Sequence, residues 1–310
     1  MLDKYKNSEF KEIIANSLPP KFKLHSDAYV YEIKDILGSS SFCITYLATG
    51  IAKNGNGTSS QRFAIKEYFV PRYCHRENDG ATVFMMHTVS HQANVFFDDA
   101  YRLMNVCRRS RNIVNVTDVF RANETVYYVM EFLDGEILSK CTETEAVSVV
   151  FQIAKALDEM HHENVFHLNL MPDNIVMVPD LDKNGERYPV LIDFGLTEPI
   201  FTMDRSFHHG PIGYTYPGQI SGDVIRTPIN DIYALGAVLY FLVTNEEPPL
   251  LPRQEELKEK LDGKVSLNVE KAILNAMKLN GRERTPSIRQ FCKELVCTDS
   301  PTKCFSEVIK

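Results

Sequence analysis

Three stretches carry residues whose types and spacing could do chemistry. Residues 190–195 (V-L-I-D-F-G) form a buried-looking apolar run that ends in Asp193-Phe194-Gly195. Residues 166–174 (F-H-L-N-L-M-P-D-N) gather His167, Asn169, Asp173 and Asn174 in one short segment. Residues 63–68 (F-A-I-K-E-Y) set Lys66 in the middle of an otherwise apolar strand. A lysine there needs an anionic partner, or else an edge position where it faces water. Metal–histidine chemistry finds no support. His161 and His162 are adjacent at a helix end and point different ways, no carboxylate spacing accompanies them, and His208-His209 is no better.

The elements that would hold these groups can be read from periodicity. Residues 1–27 carry mixed charge and a Pro19-Pro20 break, which predicts a short helix (Phe10, Ile13, Ile14) and then a linker. Alternation predicts strands over 29–37 and 43–48, joined through Gly38-Ser39-Ser40-Ser41-Phe42, a polar hairpin turn when taken alone. Asn54-Gly55-Asn56-Gly57 is a turn. A helix over 94–108 places Phe96, Ala100, Leu103 and Cys107 on one face, and strands follow at 113–120 and 125–131. Thr142-x-x-Glu145 is a capping box opening a helix striped with Val147, Val150, Phe151, Ala154 and Leu157. Near the end Thr285-Pro286 reads as an N-cap and first-turn pair.

Composition excludes several function classes. The 310 residues suffice for two core-bearing lobes or one large domain. A net charge of −7 argues against nucleic acid or an anionic membrane as the main partner. Seven cysteines, odd in number and without a C-x-x-C pair, read as reduced thiols of a cytosolic protein. Residues 1–6 lead into no apolar segment of the signal-peptide kind, and the longest apolar run, near 232–243, is too short to span a bilayer.

Taken in order, the segments resemble the protein kinase superfamily over about residues 28–296. L-G-S-S-S-F-C-I-T-Y-L-A (37–48) is similar to the glycine-rich loop of bacterial eukaryotic-type Ser/Thr kinases, with Ser40 and Cys43 in place of two glycines. A-I-K, H-x-N with Asn174, D-F-G, G-Y-T-Y-P-G-Q (213–219), N-D-I-Y-A-L-G (230–236) and a late arginine, Arg284, follow at the family's spacing. The resemblance implies an α+β, bilobal kinase-like fold, with a small, mainly antiparallel β N-lobe bearing one helix and a larger, mainly α-helical C-lobe. Residues 1–27 would be an extension, 28–133 the N-lobe with its hinge, 134–296 the C-lobe and 297–310 a tail.

The same resemblance assigns sites. Lys66 would take the α- and β-phosphates of ATP, paired with an acidic residue of the next helix, Asp99 (or Asp98); Asn174 and Asp193 would hold Mg²⁺. Gly38 and Ser40 lie in the phosphate loop, and the backbones of Glu131 and Leu133 would receive the adenine with Met130 behind it. Asp231 would hold the backbone of the loop around residue 169. The catalytic positions are Lys66, Asp193 and Asn169, and Asn169 stands where the family has the aspartate that accepts the substrate hydroxyl proton. Met171 replaces the lysine that neutralises the transferring phosphate, and Leu168 the arginine that pairs with a phosphorylated activation segment. Pro211 takes a threonine's place, and Gly218 removes the glutamate that would pair with Arg284.

The groups that grip nucleotide and metal are thus largely kept, while those that move the phosphoryl group are mostly gone. Loss of a general base costs about 10²–10⁴-fold in rate, and loss of the lysine another ~10²–10³. From a turnover near 10 s⁻¹ the product is on the order of a few events per hour or slower. The favoured expectation is a cytoplasmic, ATP- and Mg²⁺-binding pseudokinase acting as a scaffold or allosteric regulator with a protein partner. A low-activity Ser/Thr kinase acting on a protein substrate is the alternative. A third reading is an interaction module without nucleotide, its cleft filled by Ser40, Cys43 and Met130.

Overall fold

A computed structural model describes residues 13–53, 60–71, 73–183, 185–195, 212–220 and 226–296. Five of the expectations above lie outside them: Phe10, the Asn54–Gly57 turn, His208-His209, Pro211 and the 297–310 tail. The chain divides into two units. The first runs to Arg108 and resumes over Val114–Leu133; the second takes Arg109–Ile113, Asp134–Gly195 and the described residues from 212 onward.

The first unit is built on a six-stranded sheet in the order β1-β2-β3-β4-β8-β7. Its strands are β1 (Lys23–His25), β2 (Tyr29–Ser39), β3 (Cys43–Ala52), β4 (Gln61–Tyr68), β7 (Val116–Ala122) and β8 (Thr125–Glu131), all paired antiparallel. Pleating divides the side chains by parity. Across β3, β4 and β8, Thr45, Lys66 and Tyr128 stand in one row, and Ile44, Glu67 and Tyr127 in the next, on the opposite face.

Three features of this unit depart from the sequence reading. Residues 23–25, read as linker, pair with Val30–Glu32 as an edge strand; a three-residue segment is too short to show alternation. Between β4 and the helix lies a hairpin, β5 (Cys74–Arg76) and β6 (Val83–Met85). Helix α1 (His87–Val106) begins well before the residue-94 start read from periodicity. Its first turns hold Thr88, Val89 and Ser90, poor helix formers, and no side chain caps it; burial of Val89 and Ala93 extends the apolar stripe and carries those turns.

The second unit is mainly helical. Helix α2 (Glu143–His162) starts at Thr142 with the expected capping box, both reciprocal bonds being present. Short α3 (Pro217–Ile220) precedes α4 (Pro228–Thr244), whose residues 230–240 are all buried. This accounts for the long apolar run: α4 is the buried axis of the unit, and among the described residues no helix is long and apolar enough to cross a membrane. Helices α5 (Gln254–Leu261), α6 (Leu267–Ala276) and α7 (Ile288–Leu295) complete it. Helix α7 is capped by Ser287, which accepts from the Gln290 N–H, rather than by Thr285; the Thr285 hydroxyl instead donates to Glu294.

A small sheet in the order β11-β10-β9 sits in the same unit, with β9 at Glu136–Ile137, β10 at Ile175–Pro179 and β11 at Arg187–Leu191. Its β10–β11 pairing sets Ile175 opposite Leu191. Asn174, which precedes β10, and Asp193, which follows β11, are thereby brought to the same end of one hairpin.

Candidate functional site

In the first unit, pleat parity collects several sequence-assigned residues on one face. Gly38 stands opposite Thr45, Thr45 opposite Lys66, Lys66 opposite Tyr128, and Ala64 opposite Met130. Helix α1 packs against the end of this face, Phe96 lying 5.4 Å from the Tyr68 ring and 5.3 Å from the Tyr128 ring. Lys66 is 6% exposed, so the edge-strand alternative is set aside. Burial pulls its ammonium down to about 8, with Cys43 beside it acting in the opposite sense. An anion bound beside it would raise that proton affinity again, the attraction and the rise being one and the same effect.

The remaining residues of this half are placed as follows. Ser40 donates its N–H to the Cys43 carbonyl and closes the β2–β3 turn. Gly38 has a negative φ, and a Cβ built there would meet nothing within 4 Å, so neither backbone strain nor internal packing demands glycine. Asp99 is half-buried on α1 and pairs with Arg102 at 3.8 Å, one turn along its own helix. Met130 is buried on β8, and Glu131 closes that strand. The Glu131 N–H donates to the Asn115 carbonyl and its carboxylate accepts from the Asn115 N–H. Leu133 is the last residue of the unit.

The other face of the same strand holds what the sequence did not reveal. Glu67 is fully buried, and Arg76 of β5 grips its carboxylate with both terminal nitrogens, at 3.0 and 2.6 Å. Tyr46 and Tyr127 each donate a hydroxyl to it at 2.6 Å. Burial alone would lower the Arg76 guanidinium's proton affinity, but the charge and hydrogen bonds of Glu67 hold it above the ordinary arginine value. The segment before β1 closes the cluster: Arg76 donates to the Asn16 carbonyl at 2.8 Å, and the Leu18 N–H donates to the Tyr46 hydroxyl.

In the second unit the loop at 166–174 is held from beneath by Asp231, in the first turn of α4. Its carboxylate accepts from the backbone N–H of His167 (2.9 Å) and of Leu168 (2.8 Å), and from His161 Nε2 at 2.8 Å. Burial pushes the Asp231 carboxyl up, yet the His161 bond and these donors hold it below the ordinary range. His161, dismissed as a metal ligand, thus has a structural task. Leu168 sits at φ 57°, a left-handed conformation a non-glycine residue keeps only when its surroundings fix it.

Asp193 has the same backbone character, with φ 56°. Its neighbours are tied across the hairpin and the loop: the Ile192 N–H donates to the Asn174 carbonyl at 2.9 Å, and the Gly195 N–H to the His167 carbonyl at 2.8 Å. Phe194 is buried with its ring 4.7 Å from the His167 ring. Asn169 donates its side-chain amide to the Asp193 carbonyl at 3.0 Å, and Asn174 donates its own to the Asn169 carbonyl at 2.7 Å. With its nitrogen so committed, Asn174 keeps its amide oxygen as an acceptor, at the same end of the hairpin as Asp193. An oxygen-only pair of this kind suits Mg²⁺, which is held by one or two protein oxygens together with phosphates and water. Among the described residues no cluster of three or more His, Cys, Asp or Glu could hold a metal.

Further along, the expected loss of an ion pair at Arg284 is made good in another way. Arg284 is buried, donates to the carbonyls of Lys278 (3.0 and 2.8 Å) and Ile229 (2.8 Å), and lies 4.1 Å from the Tyr216 ring centre and 5.1 Å from that of Tyr233. A Cβ on Gly218 would come within 2.4 Å of the Tyr216 ring. Glycine at 218 is therefore the condition for Tyr216 to cover Arg284.

Comparison with known proteins gives a consistent picture. A family model described as "Protein kinase domain" matches residues 50–307. Among curated relatives, a calcium and calcium/calmodulin-dependent serine/threonine-protein kinase, DMI-3, of Medicago truncatula is 30% identical over 48% of this chain and 29% of its own length. Serine/threonine-protein kinase pkn3 of Myxococcus xanthus is 28% identical over 61% of this chain and 39% of its own length. The probable serine/threonine-protein kinase PknB of Lactococcus lactis is 30% identical over 44% and 22%. The chain thus spans well under half the length of these relatives.

Among solved structures, the PpkA-294 apo form matches with a TM-score of 0.66 at 22% identity, covering 91% of this chain and all of that one. The kinase domain of Mycobacterium tuberculosis PknI matches with a TM-score of 0.59 at 19% identity, covering 90% and 98%. At such identities the likeness is one of fold: an antiparallel β unit with one long helix, followed by a helical unit of the kinase type.

Proposed function

The chain belongs to the protein kinase domain family, and we propose that it is a nucleotide-binding pseudokinase, taking ATP with Mg²⁺ and transferring its γ-phosphoryl group slowly or not at all. The observation that carries this reading is the unequal treatment of the two tasks around residue 169. Asn174 and Asp193 lie at the same end of the β10–β11 hairpin, where the Ile192 N–H donates to the Asn174 carbonyl, while Asn169 turns its amide N–H, a donor, toward the Asp193 backbone. Lys66, buried on the sheet face shared with Gly38 and Met130, would meet the phosphates; Glu131 and Leu133 would meet the adenine; Asp99 is the acidic residue offered by α1. Bound Mg²⁺ would neutralise phosphate charge.

An amide at 169 has no carboxylate to accept a proton, and Met171 brings no positive charge to the transferring group. The function then rests on what the liganded protein binds: a protein partner, with this chain as scaffold or allosteric regulator. The cysteines Cys43, Cys74, Cys107, Cys141 and Cys292 are all free thiols, which supports a reducing, cytoplasmic setting.

The second reading, a slow Ser/Thr kinase, draws on the intact support beneath the loop. Phosphoryl transfer depends mainly on positioning and electrostatics, and Asp231 still anchors His167 and Leu168.

Thermal unfolding with ATP, with and without Mg²⁺, on the unmodified protein and on Lys66→Met tests the reading. A ligand at 100 times its Kd adds about 2.7 kcal/mol, a rise of a few degrees in Tm for a chain of this size. The expected result is a Mg²⁺-enhanced rise that Lys66→Met abolishes. No rise at millimolar ATP would leave only a fold kept for its surface.

A further inference from the structure

Asn169 reads at first as a damaged aspartate; its surroundings give it work an aspartate could not do. Its side-chain amide lies 3.0 Å from the Asp193 carbonyl oxygen. The amide's orientation is fixed by chemistry, since turning it over would set Oδ1 against that carbonyl, acceptor against acceptor. A carboxylate in the same place accepts only and would face the carbonyl repulsively.

The peptide it holds is a costly one. Asp193 is non-glycine at φ 56°, a state that persists only where surrounding bonds over-determine it. The comparable turn at Leu168 is secured from below by the Asp231 carboxylate. At Asp193 the flanking residues are secured by Ile192 N–H to the Asn174 carbonyl and Gly195 N–H to the His167 carbonyl, and the Asp193 carbonyl itself receives Asn169. Asn174 in turn donates to the Asn169 carbonyl at 2.7 Å. Residue 169 therefore ties together the two residues read above as the Mg²⁺ pair, through its side chain to one and its backbone to the other.

We propose that Asn169 is a positioning residue, a latch that holds the left-handed turn at Asp193 so that its carboxylate stays presented beside Asn174. The replacement of the proton acceptor and the retention of the metal side are then one change rather than two. On this account, restoring aspartate at 169 loosens the turn and weakens the metal-dependent grip.

The test has two arms, the second resting on the nucleotide-binding reading and the first independent of it. In the first, amide hydrogen exchange is followed over residues 192–195 in the unmodified protein, Asn169→Ala and Asn169→Asp, without nucleotide or metal, with helix α4 as internal reference. Loss of a hydrogen bond of this kind predicts exchange about tenfold faster at the Gly195 N–H in both variants, with α4 unchanged. Unchanged exchange at Gly195 in both overturns the latch, and so does a loss confined to Asn169→Ala, because a carboxylate would then serve equally well.

In the second arm, ATP affinity is measured in Mg²⁺ and in EDTA. The Mg²⁺-dependent gain is expected to fall about tenfold in both variants, with the affinity in EDTA unchanged. A full gain in Asn169→Asp, or an equal fall with and without Mg²⁺, overturns the proposal. If the unmodified protein binds no ATP, the nucleotide reading fails, and the exchange arm alone decides the latch.

Discussion

Lys66 and Glu67 are neighbours in β4, a cation and an anion buried on opposite faces of one strand. Glu67 is met by Arg76, Tyr46 and Tyr127, and serves the fold. Lys66 sits on the face that also carries Gly38, Thr45 and Met130, with its proton affinity lowered by burial. Substitutions at these adjacent positions are expected to act in opposite directions.

Lys66→Met should stabilise the nucleotide-free protein near neutral pH. The folded-state value of about 8 lies below the ordinary lysine value, so the unfolded chain binds more protons through that interval. Stability contributed by this site therefore rises with pH between about 8 and 10.4, and below about 8 the buried ammonium costs on the order of 3 kcal/mol. Differential calorimetry from pH 6.5 to 10 should show a higher Tm for Lys66→Met at the acid end, converging on the unmodified protein at the alkaline end. ATP affinity of the unmodified protein should weaken as pH rises through 8.

Glu67→Gln should do the reverse. It leaves the Arg76 guanidinium, 5% exposed at its side chain, without its counter-charge. Breaking one side of a buried pair typically costs about 3–5 kcal/mol, which urea unfolding would register as a lower midpoint at similar slope. Arg76→Met with Glu67→Leu should recover part of the loss, since an apolar pair asks for no charge compensation but leaves the Tyr46 and Tyr127 hydroxyls without their acceptor.

The Arg284 site gives a third case. Gly218→Glu, which rewrites the segment in the family's form, drives a side chain into the Tyr216 ring and should destabilise by about 1–3 kcal/mol. Adding Tyr216→Ala clears the space and frees Arg284 for the new carboxylate. The double variant should be more stable than Gly218→Glu alone, and a double-mutant cycle measures the coupling.

Much of this was legible beforehand, and the parts that were not share a cause. The strands over 43–48 and 125–131 and the capping box at Thr142 follow from local periodicity and spacing, whereas the roles given to Lys66, Asn174 and Asp193 are what the family resemblance implies. The Glu67 cluster does not, because its members come from four separated segments and a glutamate beside Lys66 reads as an ordinary polar strand residue. Hairpin β5–β6, with strands of three residues each, shows no alternation to recognise. Gly218 read as a deletion of function, since nothing in sequence says that Tyr216 folds over Arg284. Asn169 read likewise as a loss, because a donor bond to a backbone carbonyl in another element leaves no trace in composition or spacing.

The central claim is that this protein holds Mg·ATP without passing on its γ-phosphoryl group at a useful rate. Single-turnover incubation with γ-labelled ATP and Mg²⁺, on protein whose nucleotide occupancy is measured in the same sample, tests it directly. The account predicts substantial occupancy with label transfer to protein no faster than about 10⁻³ s⁻¹, from the combined loss of base and lysine. Transfer near 1 s⁻¹ that disappears in Asp193→Ala would contradict it and make the protein a working kinase.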